Sequence, residues 1–410
     1  MAHHDFEKPE DVVIPSSSLW AKLPIIGGAL GVAGLAATFA KYGEMKQEVL
    51  FSYLFGYWVW LTVALGCLIF VIMQHIVRAG WTVTVRRIAE SAAMTLPLFA
   101  LLAIPFLLPS SAHELFPWMD EAHVDAIIKK KQWWLDTGFF YVRAAIYFIV
   151  WTLLAGFFWK TSVAQDKGGN VSAETHRMWK YAGVAIPTFG VSMTLASFDW
   201  LMSLQPHWYS TIFGVYIYSG AIVSCFAFLI LVSKGLQSAG LMKTSVTVEH
   251  YHDMGKFMFG KVIFWAYIGF SQFFIIWYAN IPEETEFFVH RMHHGWGTLS
   301  YALPLFHFMV PFLFLLSRWV KRHHLGLIIA AGYMTVMHML DIYWLVMPNV
   351  GSHLATPKPM HALDHLWIAI AAVIGVGGCF MAVFGLILKR NAIIPTGDPR
   401  LQECIEHENY

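Results

Sequence analysis

Apolar residues gather in ten long blocks along this chain, at 19–40, 50–77, 84–108, 136–159, 179–204, 211–234, 255–279, 297–319, 324–347 and 366–388. A hydrocarbon core of about 30 Å is crossed by about 20 helical residues, so each block predicts a transmembrane helix. The expected fold is all-α and integral to the membrane, with residues 1–410 forming a single polytopic membrane domain. Pro97, Pro105, Pro187, Pro304 and Pro311 fall within blocks. They predict kinks whose freed carbonyls must be satisfied by neighbouring helices or water.

The polar connections set the orientation. With the N-terminus inside, only eight of the 27 Lys and Arg residues lie outside or toward the outer ends: Lys41, Lys46, Lys129, Lys130, Lys131, Arg143, Arg291 and Lys358. That bias places both termini in the cytoplasm. The start, MAHHDFEKPEDVV, is acidic and polar, unlike a cleaved secretory signal, so the first helix is expected to be retained. The longest outer connection, 109–135, is acidic and then basic with apolar residues at partly helical spacing. It reads equally as a solvated loop or as a docking surface for an outer subunit.

Composition agrees with the membrane reading. Hydrophobic residues make up 57% of the chain, charged residues 13%, and mean hydropathy is +0.55. A soluble domain of this size would lack the polar residues to cover itself. A net charge of +1 gives no electrostatic reason to expect nucleic acid. Cys67, Cys225, Cys379 and Cys404 are far apart, without a Cys-x-x-Cys pair, so the sequence offers neither an iron–sulfur run nor a covalent haem attachment motif.

Ionisable residues inside the blocks are then the functional candidates, because hydrocarbon makes them costly. At a rise of about 1.5 Å per residue, Arg143, Asp199 and Asp341 lie roughly 8 to 10 Å in from the outer ends of their helices. His307 and His338 share the midplane on adjacent antiparallel helices, and His338 and Asp341 lie near one helix face. Glu90 enters the third helix from the inner side, where it is placed to face His75 and Arg78. These residues outline a proton route: Glu90 with His75 inside, His307 and His338 in the middle, and Asp341, Asp199 and Arg143 outside. The competing reading is static. Arg143 with Asp199 or Asp341 is then a buried ion pair that fixes helix register, and His307 is a donor to a carbonyl. Lys234 is expected to snorkel to the inner headgroups.

His293 to His307 and His324 to His338 are each fourteen apart, a spacing that suits paired haems. Antiparallel helices bring only His307 and His338 to one depth, so haem is disfavoured, and a single bis-His haem is the minor alternative. The outer face is rich in His, with His207, His290, His293, His294, His353, His361 and His365. Loop His without a closed ligand set usually stay solvated, and no metal is expected. Asp364 and His365 serve equally as a proton exit or a cap for the last helix.

Two stretches are more specific than hydropathy. LFGYWVWLTVALGCLIFVIMQHIVRAGWTVTVRR and SFDWLMSLQPHWYSTIFGVYIYSG resemble the F-subunit family of the bacterial Alternative Complex III, a quinol:electron-acceptor oxidoreductase. That family belongs to the polysulfide-reductase-like (NrfD-like) membrane proteins, and the likeness covers nearly the whole chain. The resemblance implies two four-helix bundles, helices 2 to 5 and 6 to 9, flanked by helices 1 and 10, in the bacterial plasma membrane. It implies a related membrane subunit beneath an iron–sulfur protein, with multihaem and monohaem cytochromes c on the outer face. Quinol, as menaquinol or ubiquinol, is oxidised near that face. Such subunits are described as quinone-binding and are proposed to carry protons. Asp199 and His207 fall in the matching SFDWLMSLQPHW motif, with Arg143 as the third candidate for a quinone site, and His75 and Arg78 fall in QHIVRAGW. Three functions follow as expectations. The chain is a proton-conducting subunit without its own redox centre, a direct quinol-binding subunit, or a scaffold for outer cytochromes.

Overall fold

The computed structural model describes residues 12–351 and 360–408. Among them, ten helices are long and apolar enough to cross a membrane: α1 (Leu19–Phe39), α2 (Lys46–Ile76), α3 (Val83–Leu107), α4 (Thr137–Asp166), α5 (Val171–Leu204), α6 (Phe213–Ser238), α7 (Val248–Ala279), α8 (Trp296–Leu316), α9 (His324–Asn349) and α10 (Leu366–Lys389). The remaining described residues form short helices and turns, with no strand. His353 and Lys358 lie outside the described residues.

Two helices form the centre. The apolar windows of α2 and α6 are 94% and 83% buried, against 22% in α1 and α8. Both are hydrophobic all round, which fits helices with neighbours on every side. α2 packs on α3, α5, α6, α9 and α10; α6 packs on α2, α5, α7 and α9. α4 lies against α3 and α5, and α8 bridges α7 and α9.

α1 lies along α10 through a run of glycines. A Cβ on Gly34 would fall 2.4 Å from the backbone nitrogen of Gly375, and one on Gly378 would fall 2.3 Å from that of Gly31. Small residues let backbones meet where hydrocarbon supplies no hydrophobic drive between helices.

Helices α3 and α8 are irregular next to their prolines, and tyrosines of neighbouring helices donate to carbonyls beside the irregularities. α3 is interrupted after Ala93 and at Ala103, next to Pro97 and Pro105. Tyr57 donates to the Phe99 carbonyl at 3.1 Å, and Tyr53 to that of Leu102 at 2.6 Å. In α8 a π turn runs Leu303–Met309 between Pro304 and Pro311. Pro311 has no N–H for the carbonyl five residues back, and the Tyr333 hydroxyl occupies that Phe306 carbonyl at 2.7 Å. Pro187 sits inside an unbroken helix.

Both termini reach the same end of the bundle, where the Ile393 amide donates to the Val12 carbonyl at 2.8 Å. At the opposite, distal end, the 109–135 connection folds onto the helices, burying Leu115, Phe116 and Trp118. Arg291 ties the short helix Pro282–His290 to the end of α9. Its guanidinium donates to the carbonyls of Phe287, Trp344 and Leu345 and to the Gln205 side chain. Burial pulls its pKa down to about 9, which leaves it a cation at neutral pH, and the C-terminal carbonyls of a helix favour a cation there.

The glycine seam is tested by Gly378→Val, which should lower stability to SDS-induced unfolding by about 1–3 kcal/mol, the usual cost of overpacking. Gly28→Val should be neutral, since nothing lies within 4 Å of the added carbon.

Candidate functional site

The distal group is built on α4 and α5. Arg143 holds Asp199 with both arms, Nε to Oδ2 at 2.8 Å and Nη2 to Oδ1 at 2.9 Å. Tyr147, one turn further along α4, donates to Oδ2 at 2.7 Å. Trp134 from the 109–135 connection donates to Oδ1 at 2.9 Å, and its ring covers the guanidinium at 4.1 Å. Asp199 therefore receives four donors and a full counter-charge, the arrangement of a buried structural lock. Of the two carboxylates within reach in the sequence, Arg143 pairs with Asp199 and not with Asp341.

The central group draws on five helices. Asp341 of α9 accepts from the Tyr216 hydroxyl of α6 on Oδ1 and from the Trp265 indole of α7 on Oδ2, the latter at 3.0 Å. No Lys or Arg among the described residues pairs with it. One turn earlier, His338 Nε2 shares a 2.8 Å hydrogen bond with Thr62 of α2, while its Nδ1 has no hydrogen-bond partner. Gly220 makes the approach of α6 tolerable: a Cβ there would lie 3.3 Å from His338 Nδ1 and 3.7 Å from Asp341 Oδ2. His307 sits in the π turn of α8 with its ring stacked on Trp265, centroids 3.9 Å apart, and neither ring nitrogen is hydrogen-bonded. An unsatisfied buried polar atom costs about 1–3 kcal/mol, and three imidazole nitrogens carry that cost here, as Arg143 Nη1 and His75 Nε2 do in the other two groups. A carboxyl and an imidazole can each take, hold and release a proton, and Trp265 touches both Asp341 and His307.

The termini-side group differs from its expected pairing. Glu90 is held by Arg86 at 3.0 Å and Arg87 at 2.9 Å on its own helix, not by His75 or Arg78. Spacings of four and three residues put all three side chains on one turn. Arg86 also reaches Asp398 at 2.6 Å and Arg87 reaches Asp166 at 2.8 Å, so the C-terminal tail is clamped beneath α3 and α4. His75 stacks on Phe158, and Arg78 lies over Trp179. Lys234 does not snorkel; it is buried, bonds His324 and Gln237 and lies over Tyr251.

Among the described residues no direct hydrogen bond or ion pair joins one group to the next, so the residues read from depth as one route stand as three groups. His207 stands apart from Arg143 and Asp199: it is on the surface, bonded to Asp125 at 2.9 Å. His290 bonds the Pro348 carbonyl, and the rings of His294 and His361 lie 5.6 Å apart. Among the described residues no three His, Cys, Asp or Glu side chains gather as a metal site.

Sequence reasoning did not single out Thr62, Trp134, Tyr147, Tyr216, Trp265, Asp166 or Asp398. Tyr147 carried a signal, one turn from Arg143 on the same face; Asp398, 312 residues from Arg86, carried none. No protein-family model and no curated protein matches the chain.

Arg143→Ala should destabilise the purified chain by about 3–5 kcal/mol, because it strands a buried carboxylate, whereas Arg143→Met with Asp199→Leu should recover most of that loss in denaturant unfolding. Burial alone would raise the Asp398 carboxyl, yet Arg86 and then Arg400 hold it at about 2. A depressed pKa of this kind stabilises fully above the ordinary aspartate value of about 3.9 and is lost as pH falls toward about 2. Limited proteolysis should find the tail protected down to about pH 4 and increasingly cut below it, while Asp398→Asn should loosen it at neutral pH by about 2 kcal/mol.

Proposed function

We propose that this chain is a proton-carrying membrane subunit of a quinol-oxidising respiratory complex, of the Alternative Complex III type that its two motifs resemble. The observation that supports this best is Asp341. It is a buried carboxyl with two hydrogen-bond donors and no Lys or Arg partner among the described residues, with the incompletely bonded His338 one turn away and His307 stacked on its donor Trp265. Groups that only fix a fold are normally satisfied, as Asp199 is. On this reading His338 and His307 pass protons to and from Asp341, and Arg143–Asp199 and the Arg86–Glu90–Asp398 clamp hold the helices that present them.

The rest of the proposal follows the resemblance. The helices group as two bundles, α2–α5 and α6–α9, flanked by α1 and α10, in the bacterial plasma membrane with both termini cytoplasmic, as the Lys and Arg bias supports. Quinol is oxidised in the sister membrane subunit, next to the iron–sulfur protein, and electrons leave through cytochromes c on the distal face. A second reading, direct quinol binding, is favoured by a cavity of about 360 Å³ lined by Lys131, Trp133, Trp134, Trp208 and Tyr209 above Asp199.

In the assembled complex in proteoliposomes, Asp341→Asn should lower protons moved per electron while quinol oxidation stays within about twofold, a change of under 0.5 kcal/mol in barrier. Unchanged proton stoichiometry would remove the proton-carrying reading. A loss of quinol oxidation after Trp134→Ala, with stoichiometry intact, would favour the second.

A further inference from the structure

A larger cavity, of about 560 Å³, lies between α7, α8 and α9. Tyr267, Phe270 and Phe273 of α7, Leu303 and Phe308 of α8 and Trp344 of α9 line it. Its inner wall is Tyr216 and Trp265, the two donors to Asp341. Its rim is formed by residues that stand out from the bundle: Tyr267, Phe270 and Tyr301 are 64%, 63% and 74% exposed. The π turn of α8 supplies Leu303, Pro304 and Phe308, so the segment that carries His307 is also the segment an occupant touches.

We propose that this cavity binds one acyl chain of a membrane phospholipid, which enters sideways between α7 and α8 and ends against Tyr216 and Trp265. Three observations favour a plain hydrocarbon chain. The volume is that of a ligand site. The polar groups of the inner wall are engaged: the Tyr216 hydroxyl and Trp265 indole on Asp341, the Ser300 hydroxyl between the Arg291 carbonyl and the Trp344 indole, and the Gln272 amide oxygen on the Ser210 hydroxyl, while the Tyr267 and Tyr301 side chains are at the exposed rim. A ligand with a polar ring would find few partners there, and water, which needs two to four, would find too few. The mouth opens at membrane depth among exposed aromatic and aliphatic side chains, where acyl chains are the surrounding solvent. An occupied cavity closes the lipid side of the Asp341 donors, so access to the carboxyl is left to the His338 and Thr62 side.

The test uses the full chain in nanodiscs of phosphatidylcholine with a diazirine near the end of one acyl chain and no quinone present. Peptides covering 263–273 and 300–308 should take up at least about fivefold more label than 142–153 of α4, an affinity preference of roughly 1 kcal/mol. The α4 peptide is the reference because its Val142, Ile149 and Leu153 are comparably exposed. Ala266→Trp, which fills the cavity, should cut the α7 and α8 labelling by at least about fivefold and leave α4 unchanged; Ala266→Leu should give a smaller cut if the larger side chain prevents folding. Equal labelling of the three peptides, or no response to either variant, overturns the proposal. So does displacement of the label by excess isoprenoid quinone, which would assign the cavity to that molecule. Labelling reads occupancy and not proton movement, so its failure leaves the role of Asp341 untouched.

Discussion

Every polar group inside an apolar bundle must find its partner within the protein, because hydrocarbon offers none. Most of this structure follows that constraint. Tyrosines donate to carbonyls beside the proline-bearing irregularities of α3 and α8. Arg143, Tyr147 and Trp134 complete Asp199, and two arginines complete Glu90. Satisfaction is not complete elsewhere, since Arg143 Nη1, Arg86 Nη1 and His75 Nε2 are also buried without a hydrogen bond, so what sets the central group apart is its carboxyl. Among the described residues Asp341 has donors but no cationic partner, and three nitrogens of His338 and His307 are unbonded. Asp199 and Asp341 are equally buried, so the difference between them is made by their neighbours.

Packing explains why the central group lies where it does. α6 is central and carries Gly220 at the point where α9 presents both His338 and Asp341. A larger residue there would push the two helices apart and part Asp341 from Tyr216. α7 contributes Trp265, which touches both sides of the site, donating to Asp341 at its edge and stacking on His307 with its face. The π turn in α8 lets His307 reach that position between two prolines. Each device spends stability at one place, and the seam of α1 on α10 and the tail clamp hold the surrounding helices at others.

The ten helices were legible because about 20 consecutive apolar residues have few alternatives to a membrane span. His307, His338 and Asp341 were legible as candidates too, since depth follows from counting rise along a helix, but counting put Asp341 with Asp199 and not with the two histidines, and it gave no sign of Thr62, Tyr216 or Trp265. Partner choice was not. Arg143 had two carboxylates at its level, and only helix adjacency selects Asp199. Glu90 carried its answer in the three- and four-residue spacings to Arg87 and Arg86, but its depth suggested His75. Asp398 and Trp134 come from connections, whose return path onto the bundle no local pattern encodes. His207 shares a motif with Asp199 but lies beyond the helix end, where the chain turns toward Asp125.

The central claim is that Asp341 changes its protonation while Asp199 does not. Infrared difference spectra of the complex recorded during quinol turnover read this directly, through the carboxylic carbonyl stretch. The account predicts a carbonyl change on turnover that disappears in Asp341→Asn and persists in Asp199→Asn. A change that disappears only in the Asp199 variant, or no carboxyl signal at all, would contradict it.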